Sequence, residues 1–472
     1  MAEIVVLGAG VVGLGTAMLL AKDGHDVTVL ERDATPPAST PEGAWERWER
    51  RGVNQFRLPH YFLARYRSVL DAELPDVARS IEQVGGLRHN PLLEIPEAIR
   101  GPERPDDADC EVLTGRRPVM ELAVAAAAER ARGVTVRRGT PVSGLLAGSP
   151  SREGTPHVVG VRTESGEEVR GDLVVDVTGR RSPTPRWLEE LGTKPPVEEL
   201  EDSGFMYFGR HYRSEDGSLP FALGGGIQHF GTISSLTLPA DNGTWGVGIV
   251  TSAKDKALLG LRDLGRWESV FGALPMVAHW MEGTPIDDKI TSMSKIEDRI
   301  RTFHVDGAPI VTGMVSVGDA WACSNPSLGR GASLGMLHGL VLCDLVRDVG
   351  LDDPFELAAA FAASTDDQLR PWFEWTRATD RHRVAQVDAG VAGERYEPDD
   401  DDFELEQALA SASSKDPDLL RINIRGALVL ERPRDALQRL DLIDRVSELG
   451  GAWRDEPMAA PDRDELVRLA SA

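Results

Sequence analysis

The amino-terminal residues of this chain pass from a short apolar run to a glycine-rich turn and then to a helical pattern. Ile4 to Leu7 are all apolar, which is typical of a strand buried on both faces of a parallel sheet. A helix over Thr16 to Ala21 and a second β-rich run from Asp26 to Glu31 follow. The order strand, turn, helix, strand predicts a βαβ unit that opens an α/β sheet.

The pattern changes twice farther along the chain. Between residues 203 and 304, short β-rich runs separated by glycines predict an antiparallel sheet. From Pro354 onward the pattern is helical, with Pro433 and Pro457 as expected helix breakers. The acidic stretch from Glu397 to Glu406 is expected to be a solvated linker. The sequence thus predicts two joined lobes and a helical carboxyl-terminal appendage.

The composition and net charge of the chain limit the kinds of molecule that it can bind. The net charge of −24 disfavours nucleic acid and anionic membrane surfaces as ligands. The three cysteines are not spaced as a metal site or a disulfide framework, so we expect no metal. No apolar run is long enough to cross a bilayer, and the first strand leaves no room for a signal peptide. We therefore expect a cytoplasmic protein without a transmembrane segment that acts on a small molecule.

The turn after the first strand has the spacing of a dinucleotide-binding fingerprint. Gly8 permits a tight turn, Gly10 lets a pyrophosphate approach the backbone, and Gly13 allows helix and strand to pack closely. The helix amino terminus offers free N–H groups to the anion. Glu31 is placed to accept hydrogen bonds from the adenosine ribose hydroxyls, which favours FAD or NAD over NADP. The predicted contacts of this unit also include Val11, Val12 and Arg32.

Two later segments identify the kind of dinucleotide protein. Gly171 to Ser182 reads as a buried strand that ends in a glycine turn, and Gly318-Asp319-Ala320 precedes a glycine-rich segment and a small-residue helix. Together with the fingerprint, these motifs resemble the FAD-dependent monooxygenases of the aromatic-hydroxylase and squalene-epoxidase superfamily. In motif detail the chain is most similar to actinobacterial flavin epoxidases of polyether type.

The resemblance implies an α/β fold with a Rossmann-like FAD-binding domain of three layers (ββα), an antiparallel-sheet substrate domain and a helical carboxyl-terminal region. The FAD-binding domain is expected over residues 1–202 and 305–350, the substrate domain over 203–304 with parts of 55–110, and the helical region over 351–472. Aromatic residues on the strands of the substrate domain, among them Tyr207, Phe208 and Trp245, are candidates for shaping the pocket but are more often core.

The resemblance also implies roles for individual residues. Asp319 is similar to the acid that binds the ribityl hydroxyls of FAD, and Arg117, with Arg116 as its rival, to an arginine that reaches the pyrophosphate. The implied FAD contacts are Arg117, Val142, Gly179, Gly318, Asp319, Pro326, Gly329, Gly331, Ala332 and Ser333. The loop from Gly52 to His60 resembles one that passes over the isoalloxazine ring, so Gln55, Arg57 and His60 are candidates for contacting flavin or substrate. No catalytic base is predicted.

The implied reaction is hydroxylation or epoxidation of a small organic molecule, such as a secondary metabolite, with molecular oxygen and a flavin C4a-hydroperoxide. Thr178-Gly179 stands where hydroxylases reduced directly by NAD(P)H usually have Asp-Gly, so NAD(P)H and a partner flavin reductase both remain open as electron donors. An FAD-dependent alkene reductase of prenyl type and, less favoured, a flavin halogenase are the alternative functions. Trp245 is followed by Gly-Val-Gly-Ile and lacks the tryptophan-and-proline pattern of the halogenases.

Overall fold

The structure is a computed structural model that describes residues 1–456 and 460–472. Pro457, one of the two expected helix breakers, lies outside the described residues. The strands, β1 to β21 in chain order, are Glu3–Leu7, Asp26–Glu31, Leu87–His89, Val112–Thr114, Val134–Arg138, Val142–Ala147, Val158–Thr163, Glu168–Arg170, Leu173–Asp176, Val197–Asp202, Phe205–Arg213, Ile227–Phe230, Ile233–Pro239, Thr244–Ser252, Thr284–Pro285, Thr291–Met293, Glu297–Thr302, His304–Val305, Ala308–Pro309, Met314–Ser316 and Ala322–Cys323.

The α-helices of the described residues are numbered in the same way. In chain order, α1 to α16 are Val11–Lys22, Pro41–Arg47, Ala64–Glu73, Pro75–Gln83, Glu97–Arg100, Arg117–Arg130, Thr184–Glu190, Leu264–Gly272, Gly331–Asp348, Pro354–Gln368, Arg370–Ala392, Asp401–Ala412, Pro417–Ala427, Pro433–Leu440, Ile443–Gly450 and Arg463–Ser471.

The apolar runs at the amino terminus form the centre of a five-stranded sheet of order β20-β9-β1-β2-β5, in which every pair is parallel. Helices α1, α6 and α9 share a buried core with one face of this sheet. Strands β6 and β7 pack on the other face through a second core that includes Val5, Val161 and Val174. The three-layer ββα arrangement predicted from the sequence is therefore confirmed.

Parallel strands all end at the same edge, and here that edge carries the predicted motifs. Strand β1 ends before Gly8, β2 ends at Glu31, β9 ends at Asp176 and β20 ends two residues before Gly318. Ligands of open α/β sheets bind in the crevice outside the carboxyl ends of such strands. The sheet topology thus brings together segments that are more than 300 residues apart in the chain.

The expected antiparallel sheet is also present, with the order β12-β13-β14-β11-β15 and with β16 paired to β11. One face packs on α8 and on the last helix, α16, whose Leu466 and Ala470 belong to the same core. Trp245 on β14 is buried in this core and donates its indole N–H to the Trp280 carbonyl at 2.7 Å. Trp245 is therefore a core residue. Phe208 belongs to the same core and Tyr207 to a second, smaller core, and both also contribute to the wall of a cleft that this sheet shares with the carboxyl edge of the parallel sheet.

The acidic stretch from Glu397 to Glu406 is a linker only in its first part, because residues 397–400 form a loop with Glu397 and Asp399 exposed, and residues 401–406 belong to α12. The Asp400 carboxylate accepts hydrogen bonds from the N–H groups of Asp402 and Phe403 and caps α12, which begins at Asp401. Acidic side chains at a helix amino terminus interact favourably with its dipole, so the part of this run from Asp400 onward is a helix start. Pro433, expected to break a helix, starts α14.

Candidate functional site

The glycine turn after β1 leaves an open cradle at the carboxyl edge of the sheet. Gly8 has a φ of +102°, and a Cβ at Gly13 would lie 2.1 Å from the Gly8 carbonyl oxygen. These two glycines are therefore required by the local backbone. Gly10 differs, because a Cβ there would meet no atom within 4 Å. Its surface faces empty space at the amino terminus of α1, where an anion would approach the backbone.

Glu31 at the end of β2 is held by a buried arginine that no sequence motif indicated. Its Oε2 accepts from the Ala9 N–H at 2.9 Å and from Arg50 Nη2 at 2.8 Å. Arg50 also bonds Glu121 Oε2 at 2.9 Å and the Ala9 carbonyl at 3.1 Å. Burial alone would lower the pKa of Arg50, but the carboxylates of Glu121, Glu31 and Asp33 raise it. Arg50 therefore fixes the acid and the glycine turn relative to each other.

The structure separates the two rival arginines at the start of α6. The Arg116 side chain is fully buried and pairs with Asp241 of the antiparallel-sheet domain, with Nη2 and Oδ2 2.7 Å apart. Arg117 instead lines the cleft, where its Nε donates to Glu121 Oε1 at 2.8 Å and its Nη1 lies 3.2 Å from His60 Nε2. Of these two arginines, Arg117 is therefore the one that can reach a ligand at this edge of the sheet.

The segment from Gly52 to His60 lines the cleft in part. Gln55 and His60 contribute to its wall. Burial and the neighbouring Arg117 hold the pKa of His60 well below its usual range, so His60 is neutral and accepts from Arg117. Arg57 lies outside the lining, against the Trp45 ring, and donates to the Trp48 carbonyl at 2.9 Å. In this structure Arg57 therefore packs against neighbouring residues and does not face the cleft.

Asp319 and the start of α9 form the floor of the cleft. Gly331 and Ala332 open the helix, and Gly329 before it has a φ of +66°. Burial raises the pKa of Asp319, while the positive charge of Arg117 opposes that rise. Gly318 and Ser333 do not line the cleft; the Gly318 N–H donates to His338 Nδ1 at 3.2 Å.

The aspartate of the middle motif organises the adjoining turn. Asp176 Oδ1 accepts from the N–H and the hydroxyl of Thr178, and Oδ2 accepts from the Thr184 hydroxyl at 2.7 Å. These bonds curl the chain so that Gly179 lies on the cleft wall. The sequence-predicted residues that line the cleft are Gly8, Gly10, Val11, Val12, Gly13, Glu31, Arg32, Gln55, His60, Arg117, Val142, Gly179, Asp319, Pro326, Gly329, Gly331 and Ala332.

The cleft is one continuous cavity of about 1660 Å³. It begins at the glycine turn, passes the start of α9 and reaches the antiparallel sheet at Phe208 and Leu236. The carboxyl-terminal helices form its far wall, with Glu406 of α12 and Asn423 of α13 among the lining residues. This wall was not predicted, because nothing in the pattern of a helical tail shows where the tail packs.

The residues and shape of the cleft fit FAD. The pyrophosphate end has the open cradle at Gly10 and the amino terminus of α1, and the flavin end has the Asp319 carboxyl and the amino terminus of α9. Single-ligand pockets usually measure about 300–1000 Å³. A cavity of about 1660 Å³ therefore has room for the dinucleotide and for a second molecule. The individual FAD contacts stay predictions.

Asp319→Ala should weaken the retention of FAD by about 10- to 100-fold, because a charged hydrogen bond contributes about 1.5–3 kcal/mol. The measurement is the FAD dissociation constant of the refolded or stripped protein, titrated by flavin fluorescence. Asp319→Asn keeps one acceptor oxygen and should fall between the wild type and the alanine variant. Equal affinities for all three proteins would contradict the role of Asp319.

A buried polar cluster fixes the loop before α9. Asp380 Oδ1 accepts from Asn325 Nδ2 at 3.0 Å and from the Ser327 hydroxyl at 3.1 Å. The Tyr207 hydroxyl donates to Asn325 Oδ1 at 2.6 Å, and the Asn325 N–H donates to Asp298 Oδ1 at 2.7 Å. Burial and the nearby Asp298 raise the pKa of Asp380 to about 8. Asp380 therefore keeps its proton at neutral pH in the folded protein.

This raised pKa predicts that the protein loses stability as the pH rises from acid to slightly alkaline values. The unfolded chain releases the Asp380 proton near its ordinary pKa of 3.8, whereas the folded protein holds it to about pH 8. The folded state thus binds more protons across this window, and the free energy of unfolding falls as the pH rises from about 4 to about 8. Asp380→Asn should flatten this dependence and stabilise the protein at pH 8 by about 1–3 kcal/mol. Urea midpoints at several pH values test it, and parallel curves for the two proteins would contradict it.

Comparisons with known proteins agree with this architecture. Residues 3–74 match the family described as FAD dependent oxidoreductase. Protein Rv3254 of Mycobacterium tuberculosis is 25% identical over 351 residues, which cover 71% of this chain and 70% of that protein. The flavin-dependent brominase Bmp2 superposes with a TM-score of 0.60 at 14% identity, covering 94% of this chain and 99% of its own.

A second solved structure, PqsL from Pseudomonas aeruginosa, is described as a probable FAD-dependent monooxygenase. It superposes with a TM-score of 0.55 at 16% identity and covers 82% of this chain and 96% of its own. At these identities the superpositions support the fold. The family match and the residues of the cleft together identify FAD as the cofactor. They also identify the general class of reaction as oxidation and reduction.

Membrane spans and metal sites are both absent from the part of the chain that the structure describes. None of the helices within 1–456 and 460–472 is long and apolar enough to span a membrane. Within the same residues, no group of three or more His, Cys, Asp or Glu side chains is arranged to hold a metal ion.

Proposed function

We propose that this chain, an FAD-dependent oxidoreductase, is a monooxygenase that hydroxylates or epoxidises a small organic molecule. The observation that carries the proposal is the continuity of the cleft. The same cavity that begins at the dinucleotide cradle extends past α9 to the antiparallel sheet and the carboxyl-terminal helices. A substrate in the outer part would lie against the flavin end of the cofactor, without a protein wall between them.

The protein's own residues would position the cofactor and the substrate, stabilise charge that develops on them and exclude water from them. FAD, when bound, supplies the activation of oxygen and its transfer. The amino terminus of α9, which begins at Gly331, would direct its dipole and free N–H groups at the flavin end of a bound FAD and would favour negative charge there. The sheet roof, with Phe208 and Leu236, and the helical wall keep water away from the reacting molecules.

The residues around the dinucleotide end of the cleft are suited to binding and orienting the cofactor. Arg117 lines the cleft with its Nη1 3.2 Å from His60 Nε2, and it is the arginine of its pair that faces the cleft. The positive charge of Arg117 would hold the pyrophosphate, and neutral His60 would orient the Arg117 side chain by accepting its hydrogen bond.

The proposal is tested by anaerobic reduction of the purified protein with NADH or NADPH, followed by rapid mixing with oxygen while flavin absorbance is recorded. A transient band that differs from reduced and oxidised flavin, as expected for the C4a-hydroperoxide, would support oxygenase chemistry. Slow reduction by both nucleotides, relieved by a flavin reductase, would identify a partner reductase as the electron donor. Direct return to oxidised flavin with every substrate tried, and reduction of an alkene instead, would overturn the proposal in favour of an alkene reductase.

A further inference from the structure

The wall that the carboxyl-terminal helices contribute to the cleft carries the carboxyl group of Glu406, on α12. One of its oxygens, Oε2, lies 3.2 Å from the Thr379 hydroxyl of α11. Among the residues that the structure describes, no donor bonds the other oxygen, Oε1, and no cation forms an ion pair with this carboxyl group. Glu406 therefore presents an acceptor oxygen without a protein partner to the cleft.

The cation next to Glu406 is Arg330, and its charge is directed elsewhere. Arg330 Cζ lies 3.6 Å from the centre of the Trp375 ring, and Nη1 donates to the Thr376 hydroxyl at 2.8 Å. Burial raises the pKa of Glu406 to about 7, and the positive charge of Arg330 opposes that rise without cancelling it. A carboxylate removed from water is costly unless it is paired, so a cation supplied by a ligand would stabilise it.

Glu406 lies near the flavin end of the cleft. It adjoins α11 at Thr379, one helical turn after Trp375, and both of these α11 residues line the cleft. Arg330, which packs on Trp375, directly precedes the first residue of α9, Gly331. The side chains from Glu406 to the start of α9 thus form one continuous part of the cleft wall. A ligand group bound at Glu406 would leave the rest of that ligand beside the flavin end of the cofactor.

The helical wall around Glu406 is mainly apolar. Residues at helical spacing on α12 and α13 turn the same faces to the cleft, and most of them are aliphatic: Leu409, Ala410, Leu420, Ile424, Ala427 and Leu428. The amides on these faces, Gln407 and Asn423, are uncharged. The net charge of −24 also attracts cations to the protein and repels anions. This surface therefore fits a mostly apolar molecule with a single positive charge.

We propose that Glu406 binds the ammonium group of an apolar amine and that such an amine is the substrate class of the cleft. The inference rests on the proposed function, which places the substrate in the outer part of the cleft, and deepens it by naming a specificity-determining residue. An ammonium group would both donate a hydrogen bond to Oε1 and supply the missing charge. A neutral hydroxyl group could only donate, and a ligand carboxylate would be repelled. The affinity should therefore fall in the order amine, alcohol, carboxylate.

Isothermal titration of the oxidised holoenzyme with three ligands of matched shape tests this order. The ligands are 4-phenylbutylamine, 4-phenylbutan-1-ol and 4-phenylbutanoate. At about pH 8 most of Glu406 is ionised, and an alkyl amine, like lysine, still carries its proton. The wild type should bind the amine at least about 10-fold more tightly than the alcohol, the effect expected of a hydrogen bond between charged groups. The carboxylate should bind most weakly.

Variants of three glutamates locate the charge that matters. Glu406→Gln keeps the shape of the side chain and should bind the amine and the alcohol equally, whereas Glu406→Asp keeps the charge and should still prefer the amine. Glu404→Gln is the matched control on the same helix, because Glu404 pairs with Arg454 and does not line the cleft. Glu94→Gln removes a second acid of the cleft, whose side chain is 51% exposed. Both control variants should keep the preference of the wild type.

The alcohol reports whether the cleft itself is intact. An unchanged alcohol affinity in Glu406→Gln, with loss of the amine preference, is the expected result, and equal weakening of both ligands would indicate a structural effect and overturn the proposal. A wild type without preference for the amine, or the same loss of preference in either control variant, would overturn it as well. The titration needs neither reductant nor oxygen. An amine preference without an oxygen transient would therefore keep the amine site and reject the monooxygenase, and the reverse result would reject the amine site alone.

Discussion

Gly10→Val should give a folded protein that does not retain FAD. Gly10 has φ −79° and ψ 175°, which valine adopts without strain, and a Cβ there meets no protein atom within 4 Å. The added side chain therefore has no effect on packing but occupies the space in which a pyrophosphate would approach the helix amino terminus. We expect FAD affinity to fall at least about 100-fold, which corresponds to about 3 kcal/mol. Flavin content after purification and an FAD titration measure the effect.

Gly144→Val is the matched control for this substitution. A Cβ at Gly144 also meets no atom within 4 Å, and Gly144 on β6 does not line the cleft. This variant should bind FAD as the wild type does. If Gly10→Val purified with a full complement of FAD, the cradle would have been placed at the wrong turn, whereas an unfolded Gly10→Val would show that the open space at this residue is needed by the protein itself.

Arg50→Met should be the most destabilising substitution among the charged residues of the site. The Arg50 side chain is 6% exposed and pairs with Glu31, Asp33 and Glu121, whose side chains are 5%, 18% and 1% exposed. Methionine fills the volume but leaves these carboxylates without their shared cation. Removal of one partner from a buried ion pair costs about 3–5 kcal/mol. The free energy of unfolding from urea titration is the measurement.

Arg47→Met tests whether loss of any arginine has this effect. Arg47 pairs with Glu46 at the surface, and their side chains are 72% and 60% exposed. Exposed pairs of this kind contribute about 0–1 kcal/mol, so this variant should unfold close to the wild type. Similar unfolding free energies for Arg47→Met and Arg50→Met would show that the carboxylates around Arg50 are not dependent on it. Glu31 would then have to be held in place by contacts other than its pair with Arg50.

The nucleotide-binding unit was the part of the molecule that the sequence predicted best. The residues that define this unit are close together in the chain: Ile4 to Leu7, the glycine turn and Glu31. At each of these positions the geometry of the neighbouring backbone determines which residue type is needed. The same holds for Asp176, whose partners Thr178 and Thr184 lie within eight residues. The position of these motifs at one edge of the sheet follows from such local patterns together with the topology rules of parallel sheets, whereas the three-layer fold was implied by the resemblance to a known family.

Contacts between side chains that are far apart in the chain could not be predicted from the sequence. Arg116 and Arg117 are adjacent arginines, and the choice between them depends on Asp241, which lies 125 residues from Arg116. Arg50 has no motif of its own, and its function is evident only once Glu31 and Glu121 are brought to it. The prediction of a solvated linker at Glu397–Glu406 holds only as far as Asp400, because the acids of a helix cap and those of a solvated linker cannot be told apart without their packing partners.

The sequence by itself determined the βαβ unit with its dinucleotide-binding turn and the antiparallel sheet, because these depend on backbone geometry and on the period of apolar residues along neighbouring positions. The tertiary structure alone decided which side chains meet in and around the cleft: the buried partners of Glu31, the cluster around Asp380 and the helical wall. Such contacts depend on the distances between elements far apart in the chain, and a hydrogen bond forms only when those distances close to about 3 Å. No pattern within a single segment contains that information.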